Sequence, residues 1–118
     1  MINAAITGVG GYVPEYILNN EELSKMVDTS DEWIFPRTGI HDRYFCEKEE
    51  SAMTLAVRAA REALGRSGIE PSELGAVVVA TMSADFATPS LACLVARELG
   101  CPETIPALDL NAACSGFV

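Results

Sequence analysis

A cysteine near the end of the chain stands in a context that suits a nucleophile. Cys114 follows a short apolar run and is flanked by Ala112, Ala113, Ser115 and Gly116. Small neighbours allow a sharp turn from a strand into a helix, and they let a substrate approach the sulfur. The amide groups and dipole at a helix start also favour the reactive thiolate. Since most isolated cysteines are packing residues, spacing alone leaves both interpretations open.

The remaining thiols and the single histidine lack such a context. We predict that Cys93 lies inside an amphipathic helix and Cys101 just beyond it, both inert, and that Cys46 lies in a polar loop. His41 is predicted to be a surface residue. The chain has no C-x-x-C pair and no ligand-like histidine spacing, so we predict free thiols and no metal site.

The glycines near the start of the chain need a separate interpretation. Residues 2–7 are predicted to form a first strand, and Gly8-Val9-Gly10-Gly11 follows it. A dinucleotide-binding fingerprint would need glycine at Val13, and Pro14 blocks the helix that should receive the phosphates. We therefore predict a tight glycine turn.

The next segment is predicted to contain two short helices. The first covers residues 21–27, with Asn20 as its N-cap. Residues 29–32 have the spacing of a capping box, which predicts a helix of one to two turns that ends at Pro36. Residues 37–39 are predicted to be a loop, and residues 41–50 a polar surface excursion.

The second half of the chain has the pattern of an α/β fold. A long helix is predicted over residues 51–66, because alanines and leucines recur at helical spacing. The apolar run at 76–80 predicts a strand buried on both faces. Thr88 and Pro89 are predicted to start a helix over residues 90–99, and residues 106–110 form the next strand. This order makes a parallel β-α-β unit.

Composition limits the classes of function. The 118 residues carry a formal net charge of −9 and are 49% hydrophobic, as in a globular domain. The acidity argues against binding nucleic acid or an anionic membrane surface. No apolar run is long enough to cross a bilayer, and the N-terminus lacks the pattern of a signal peptide. We therefore expect a cytoplasmic protein.

Several blocks of the sequence, in order, resemble the β-ketoacyl-[acyl-carrier-protein] synthase III family. They are DTSDEWI at 28–34, RTGI at 37–40, VAT at 79–81, PS at 89–90 and AACSGF at 112–117. The resemblance implies a thiolase-like fold with layers in the order α-β-α-β-α. It also implies that residues 1–118 are the N-terminal part of such a domain, truncated just after the nucleophile.

The resemblance assigns roles to individual residues. Cys114 would accept the acyl group of an acyl-CoA as a thioester, before a decarboxylative condensation with malonyl-acyl carrier protein that initiates fatty-acid synthesis. Trp33 and Arg37 would hold the CoA nucleotide, with the purine sandwiched between the two planar groups, and Thr38 would help to position it. Thr88 would form the floor of the partner subunit's acyl pocket in a homodimer, unless a nearby residue such as Phe86 fills that space.

Other interpretations stay open. The family completes its site with a histidine and an asparagine that this chain does not contain, so the chain alone is expected to be inactive. CoA is a substrate here, and no cofactor is expected. A CoA-dependent synthase of secondary metabolism and a hydroxymethylglutaryl-CoA synthase are alternatives within the superfamily. A different class of answer is a non-catalytic fragment, or a split subunit that only binds a partner half.

Overall fold

The computed structural model describes residues 3–117, which form two compact units. The smaller unit contains residues 13–50, and the larger unit contains residues 3–12 together with 51–117. Both units mix helices with two-stranded sheets. Within the described residues, no helix is long and apolar enough to span a membrane.

The smaller unit is a two-stranded antiparallel sheet with two helices inserted between its strands. Strand β1 (Tyr16–Asn19) pairs with β2 (Asp42–Phe45), and Tyr16 lies opposite Phe45. Helix α1 (Asn20–Ser24) follows β1 directly, and α2 (Asp31–Thr38) precedes β2. Both strands were missed at the sequence level: β2 lies within the predicted polar excursion, because a four-residue strand with mostly exposed side chains has no apolar alternation.

The ends of these two helices differ from the prediction by a few residues. Asn19 caps α1 by accepting from the Glu22 amide, so Asn20 is the first helical residue rather than the cap. Ser30 caps α2, and the helix continues through Pro36 to Thr38. Proline removes only one backbone donor, and the last turn keeps a bond from the Gly39 amide to a carbonyl of the preceding turn.

The larger unit is built around a parallel β-α-β arrangement, as predicted. Helix α3 (Ala52–Ser67) precedes β3 (Val77–Ala80), which is joined by α4 (Leu91–Leu99) to its parallel partner β4 (Ala107–Leu110). Short 3₁₀ turns cover Pro71–Glu73 and Ala113–Ser115. The buried residues Val57, Leu91 and Val95 form the core between the helices and the sheet.

At the start of each long helix, the backbone amides are bound by a serine just before the helix and by an aspartate that is distant in the sequence. The Ser51 hydroxyl caps α3, and both carboxylate oxygens of Asp85 accept from the Ala52 and Met53 amides, at 3.0 and 2.9 Å. The same arrangement recurs at α4, where Ser90 is the cap and Asp109 accepts from the first two amides, at 2.7 and 2.8 Å. Carboxylates satisfy amides that lack helical partners and interact favourably with the helix dipole. The prediction that Thr88 caps α4 is therefore wrong.

Two strand predictions in the larger unit are also corrected. The described part of the predicted first strand, residues 3–7, contains no strand, because a ladder needs a partner and none is provided within residues 3–117; residue 2 lies outside the described part. Strand β3 is exposed on one side, where Val78 is 58% accessible, rather than buried on both faces. No second layer covers that side within the described residues.

The predicted glycine turn is in fact a close contact between backbones. A Cβ atom at Gly8 would lie 2.4 Å from the Ala63 carbonyl oxygen, and one at Gly10 would lie 2.3 Å from that of Ala59. Arg66 donates to the Val9 carbonyl oxygen at 3.1 Å and further ties the segment to α3. Glycine is required here for approach to the helix, and none of the glycines at 8, 10 and 11 has a positive φ.

Candidate functional site

The candidate nucleophile lies in a tight turn directly after β4. Strand β4 ends at Leu110, and Cys114 is the middle residue of the 3₁₀ turn Ala113–Ser115. The turn is closed by hydrogen bonds from the Ser115 and Gly116 amides to the carbonyl oxygens of Ala112 and Ala113, each three residues earlier, at 3.0 and 3.1 Å. Cys114 is exposed, as a nucleophile must be.

The residues around Cys114 explain why small side chains are needed. Ala113 has a φ of 47°, in the left-handed region that residues with a side chain rarely adopt. A Cβ atom at Gly116 would lie 3.0 Å from the Cβ of Ala80, the last residue of β3. The turn thus lies at the carboxyl ends of two parallel strands, which is where open α/β sheets bind ligands.

The predicted helix behind Cys114 is not part of the described structure. The 3₁₀ turn is followed by Gly116 and Phe117, and no α-helix follows it within residues 3–117. What the structure supports is a sharply turned, accessible thiol at the end of the sheet.

The other thiols lie in structural positions. Cys93 is in α4 as predicted, where its sulfur accepts from the Ser90 hydroxyl at 3.1 Å. Cys101 is half-buried just past that helix, and Cys46 is exposed beyond β2. All four cysteines are free, and no cluster of metal-ligating side chains occurs in the part of the chain that the structure describes.

Trp33 and Arg37 form one stacked pair on α2. They are four residues apart, so they lie on the same helix face. The guanidinium carbon of Arg37 is 4.6 Å from the centre of the Trp33 ring, and its Nη1 donates to the Trp33 carbonyl oxygen at 2.8 Å. The indole is nevertheless 57% exposed. The helix thus presents an aromatic surface beside a fixed positive charge.

This direct stacking leaves no space for a purine between the two groups. Stacked aromatic planes need about 3.5 Å on each side of an inserted ring, so the predicted sandwich would require Arg37 to leave its present position. The exposed part of the indole borders a cleft of about 430 Å³ that is also lined by Asp28, Thr29 and Ser30. The accessible part of the ring is therefore the part beside this cleft, and not the space between the indole and the guanidinium.

Thr38 has a structural task in the described conformation. Its hydroxyl donates to the Ile34 carbonyl oxygen at 2.9 Å and accepts from the Ile40 amide at 3.1 Å. These bonds close the last turn of α2 and direct the chain into β2. If Thr38 contributes to nucleotide positioning, it does so by holding the end of α2 in place.

A buried polar network in the smaller unit was not found by sequence reasoning. The side chain of Asn20 is 2% exposed and donates from Nδ2 to an Asp31 oxygen and to the Ile40 carbonyl oxygen, each at 2.7 Å. Its own oxygen accepts from Arg43. Asp31 also contacts His41 at 3.0 Å, and hydrogen bonds from Asn20 and then His41 lower the pKa of that carboxyl group.

His41 is less isolated than predicted. Its ring stacks on Phe35 with centroids 3.9 Å apart, and it remains partly exposed, as expected for a surface residue. The stack and the contact with Asp31 attach the segment after α2 to the helix. No feature of the sequence around Asn20 or His41 shows these contacts, because the partners are 6 to 23 residues apart and have no regular spacing.

The predicted pocket residues Phe86 and Thr88 lie on an exposed segment that joins β3 to α4. Phe86 is 61% exposed, and Thr88 is also accessible. The peptide bond between Thr88 and Pro89 is cis. Asp85 fixes the middle of this segment through its two bonds to α3. The described part of the chain gives these side chains no enclosed pocket of their own.

Comparison with known proteins agrees with this arrangement. Residues 35–117 match the family model described as the thiolase N-terminal domain. A Coxiella burnetii protein named beta-ketoacyl-[acyl-carrier-protein] synthase III is 45% identical over 119 residues, which cover 100% of this chain and 37% of that protein. This chain thus spans little more than a third of that relative's length.

Solved structures give the same result. The 3-oxoacyl-[acyl-carrier-protein] synthase III of Aquifex aeolicus superposes with a TM-score of 0.89 and 45% identity, over 95% of this chain and 36% of that one. The priming beta-ketosynthase of the R1128 polyketide pathway also reaches 0.89, at 40% identity, over 95% of this chain and 33% of that one. These matches confirm the predicted α/β fold as the N-terminal portion of a thiolase-like fold.

Proposed function

Because the chain belongs to the thiolase N-terminal domain family, we propose that it forms the N-terminal part of a condensing enzyme of the β-ketoacyl-[acyl-carrier-protein] synthase III type. The observation that carries this proposal is the accessible Cys114 in a strained turn at the carboxyl ends of β3 and β4. Relatives with that name match the whole chain at 45% identity.

The proposed reaction has two steps. The Cys114 thiolate attacks the thioester carbonyl of an acyl-CoA, the carbon–sulfur bond to CoA breaks, and CoA leaves as the thiol after taking up a proton. Malonyl-acyl carrier protein then loses carbon dioxide, and the resulting carbanion attacks the acyl-cysteine carbonyl. The product is a β-ketoacyl carrier protein, and the Cys114 thiolate is regenerated.

The chain's own residues support the first step. The small groups at 112, 113 and 116 leave the sulfur open to a thioester. The exposed Trp33 ring offers a stacking surface for the adenine of CoA, and the Arg37 cation favours its phosphates. Thr88 and Phe86 are proposed to line the acyl pocket, and the histidine and asparagine of the second step would come from the rest of the protein.

We propose acyl-CoA and malonyl-acyl carrier protein as the partners of the full-length protein, in a cytoplasmic homodimer. CoA takes part as a substrate, and no separate cofactor is required by this reaction. A role in starting polyketide synthesis is the second candidate, since the priming ketosynthase of the R1128 pathway superposes as well as the Aquifex enzyme does. The identity of the carrier protein that is used distinguishes the two.

Covalent labelling tests the proposal. The full-length protein is incubated with an acyl-CoA, its intact mass is measured, and the modified peptide is mapped. We expect one acyl group on Cys114 and none on the Cys114→Ala variant. Cys93→Ala is the matched control, because Cys93 is also accessible but belongs to α4. An acyl group mainly on Cys46, Cys93 or Cys101 would contradict the assignment.

A further inference from the structure

The amide side chain of Asn20 holds both ends of the helix that carries Trp33. Its two Nδ2 hydrogens are used on Asp31, the first residue of α2, and on the carbonyl oxygen of Ile40, just past the Gly39 cap. Both distances are 2.7 Å. One buried side chain therefore connects the beginning of the helix with its exit.

The remaining groups of Asn20 connect this helix to the sheet. Its Oδ1 accepts from Arg43 in β2, and its backbone amide donates to the His41 carbonyl oxygen at 3.0 Å. Arg43 also donates to the Leu18 carbonyl oxygen in β1. All side-chain hydrogen-bonding groups of Asn20 except one acceptor lone pair are used, so the residue is fixed in its position.

Asn20 itself belongs to a different helix from the one it holds. It is the first residue of α1, at the end of β1, and it is 13 positions before Trp33 in the sequence. Helix α2 has only eight residues, and its buried residue is Ile34. So short a helix with so little buried surface depends on polar contacts at its ends for its orientation.

We infer that Asn20 is the positioning residue of the proposed nucleotide-binding surface, because it fixes the orientation of α2 and hence of Trp33 and Arg37. Asn20 does not contact the nucleotide in this arrangement. Its effect is transmitted through the two ends of the helix. The inference rests on the proposed function, in which those two side chains bind the adenine and phosphates of CoA.

Two substrates separate positioning from general damage. The full-length protein is assayed with an acyl-CoA and with the matching acyl-pantetheine, which carries the same thioester without the nucleotide. For Asn20→Ala we expect KM for acyl-CoA to rise about tenfold and kcat to change little. A tenfold rise corresponds to the loss of roughly one to two hydrogen bonds. KM for acyl-pantetheine should stay at the wild-type value. Equal changes with both substrates, or no change with either, would overturn the inference.

The neighbouring asparagine is the matched control. The Asn19 side chain accepts from the Glu22 amide and caps α1, and within the described residues it makes no hydrogen bond to α2 that would orient Trp33, so Asn19→Ala should leave KM for acyl-CoA unchanged. An increase with Asn19→Ala equal to that with Asn20→Ala would show that any disturbance near α1 has this effect, and would contradict the specific role of Asn20.

A second pair of variants covers the possibility that Asn20→Ala does not fold. Asp31 is about half exposed, so its replacement should be tolerated. Asp31→Ala removes one of the two attachments and should raise KM for acyl-CoA alone, whereas Asp31→Asn keeps an acceptor oxygen for Asn20 and should restore most of the affinity. Equal losses in both variants would contradict a hydrogen-bonded attachment.

The Trp33→Ala variant distinguishes the failure of this inference from the failure of the proposed function. If Trp33→Ala leaves KM for acyl-CoA unchanged, the nucleotide-binding surface itself is wrongly placed, and the inference falls with it. If Trp33→Ala raises KM and the Asn20 and Asp31 variants do not, the surface stands and the positioning role of Asn20 is refuted.

Discussion

Ala113 shows how much of the candidate site depends on the conformation of single residues. Its φ of 47° costs about 1–2 kcal/mol for a residue with a Cβ atom. The strained residue lies just before the thiol, where the chain turns sharply away from the strand. Strain of this kind occurs mainly at functional sites, and it supports Cys114 over the other three thiols as the nucleophile.

The stacked pair on α2 leads to a prediction about substrate use. Trp33→Ala and Arg37→Ala should each raise KM for acyl-CoA, because each removes a contact to the nucleotide and not to the reacting thioester. The loss should be about 1–3 kcal/mol in kcat/KM. Steady-state kinetics of the full-length protein measure this, with the later condensation step followed separately. Unchanged CoA kinetics in both variants would contradict the assignment.

Thr88 leads to a prediction about the acyl group. If it forms the floor of the acyl pocket, the full-length protein should accept primers longer or more branched than acetyl. Each additional buried methylene contributes about 0.8 kcal/mol, so Thr88→Phe should shift the preference towards acetyl several-fold. A primer series from acetyl to medium and branched chains measures the shift.

Phe86 provides the comparison for the Thr88 experiment. If Phe86 turns inward and fills the space, Phe86→Ala should lengthen the accepted primers and Thr88→Phe should change little. A wild type with strict acetyl preference that Thr88→Phe leaves unaltered would show that Thr88 does not set the pocket depth.

At the scale of elements, the two long helices are completed by side chains from other segments. The first three amides of each helix are satisfied by one local serine and one remote aspartate, Asp85 for α3 and Asp109 for α4. The local serine next to an apolar periodic run is visible in the sequence. The aspartate is not, because it lies about 18 or 33 residues away and has no fixed spacing.

Asp85 leads to a prediction about pH. Desolvation acts to raise the pKa of its carboxyl group, but hydrogen bonds from the Met53 amide, the Ser51 side chain and the Ala52 amide outweigh it, and the pKa is lowered from 3.8. A lowered folded-state pKa adds stability above the unfolded value of about 3.9, and this stability disappears as the pH falls through the folded value.

The Asp85→Asn variant measures this contribution. At pH 7 it should reduce the free energy of unfolding of the full-length protein by about 1 kcal/mol, as for the loss of a helix cap. The difference from the wild type should shrink as the pH falls below about 4, and it should be smallest below the lowered folded-state pKa of Asp85, where its carboxyl group is neutral like the asparagine amide. A difference that stays constant from pH 7 to pH 3 would show that the charge of Asp85 contributes nothing.

The glycine segment beside α3 allows a comparison between a glycine in close contact with the helix and a neighbouring glycine with free space around it. Gly10→Ala should destabilise the full-length protein by about 2–3 kcal/mol, because its Cβ atom would lie 2.3 and 2.4 Å from backbone atoms of Ala59 and Ala63. Gly11→Ala meets nothing within 4 Å and should be nearly neutral. Chemical denaturation of both variants measures this. Equal stability would contradict the close contact.

At the scale of the whole molecule, the larger unit has an open apolar groove. The groove has a volume of about 720 Å³, and it is bordered by the alanines of α3, by strand β3 and by Phe117. Several large apolar side chains are highly exposed, among them Ile6 at 87% and Phe117 at 100%. Exposed apolar surface on this scale favours association.

The 118-residue chain by itself is therefore predicted to self-associate and to lack condensing activity. Within residues 3–117 its sheet has open edges and its groove is uncovered, and the histidine and asparagine of the condensation step are proposed to belong to the rest of the full-length protein. Light scattering and a condensation assay on the isolated chain measure both properties. A monodisperse monomer that condenses acyl-CoA with malonyl-acyl carrier protein would contradict the prediction.

Sequence reasoning was strongest where local patterns decide the structure. The stripe of alanines and leucines predicted α3, and the valine run predicted β3, each to within a residue. Sequence reasoning failed where the presence of a pairing strand determines the structure. It missed the antiparallel pair of the smaller unit, and it predicted a strand at residues 3–7, which have no pairing partner among the described residues. For the site, motif likeness predicted roles for Cys114, Trp33 and Arg37, which stay predictions, whereas the contacts of Asn20 depend on tertiary structure that no local pattern encodes.

The remote aspartates have a consequence for the order in which the protein is made. Since the chain grows from its N-terminus, α3 leaves the ribosome before Asp85 does, and α4 leaves before Asp109. Each nascent helix thus begins with two unsatisfied amides and acquires their acceptor only when a later segment has emerged and docked. The delay corresponds to the synthesis of 33 residues for α3 and of 18 residues for α4. The acceptor that emerges later is Asp109, five positions before the thiol.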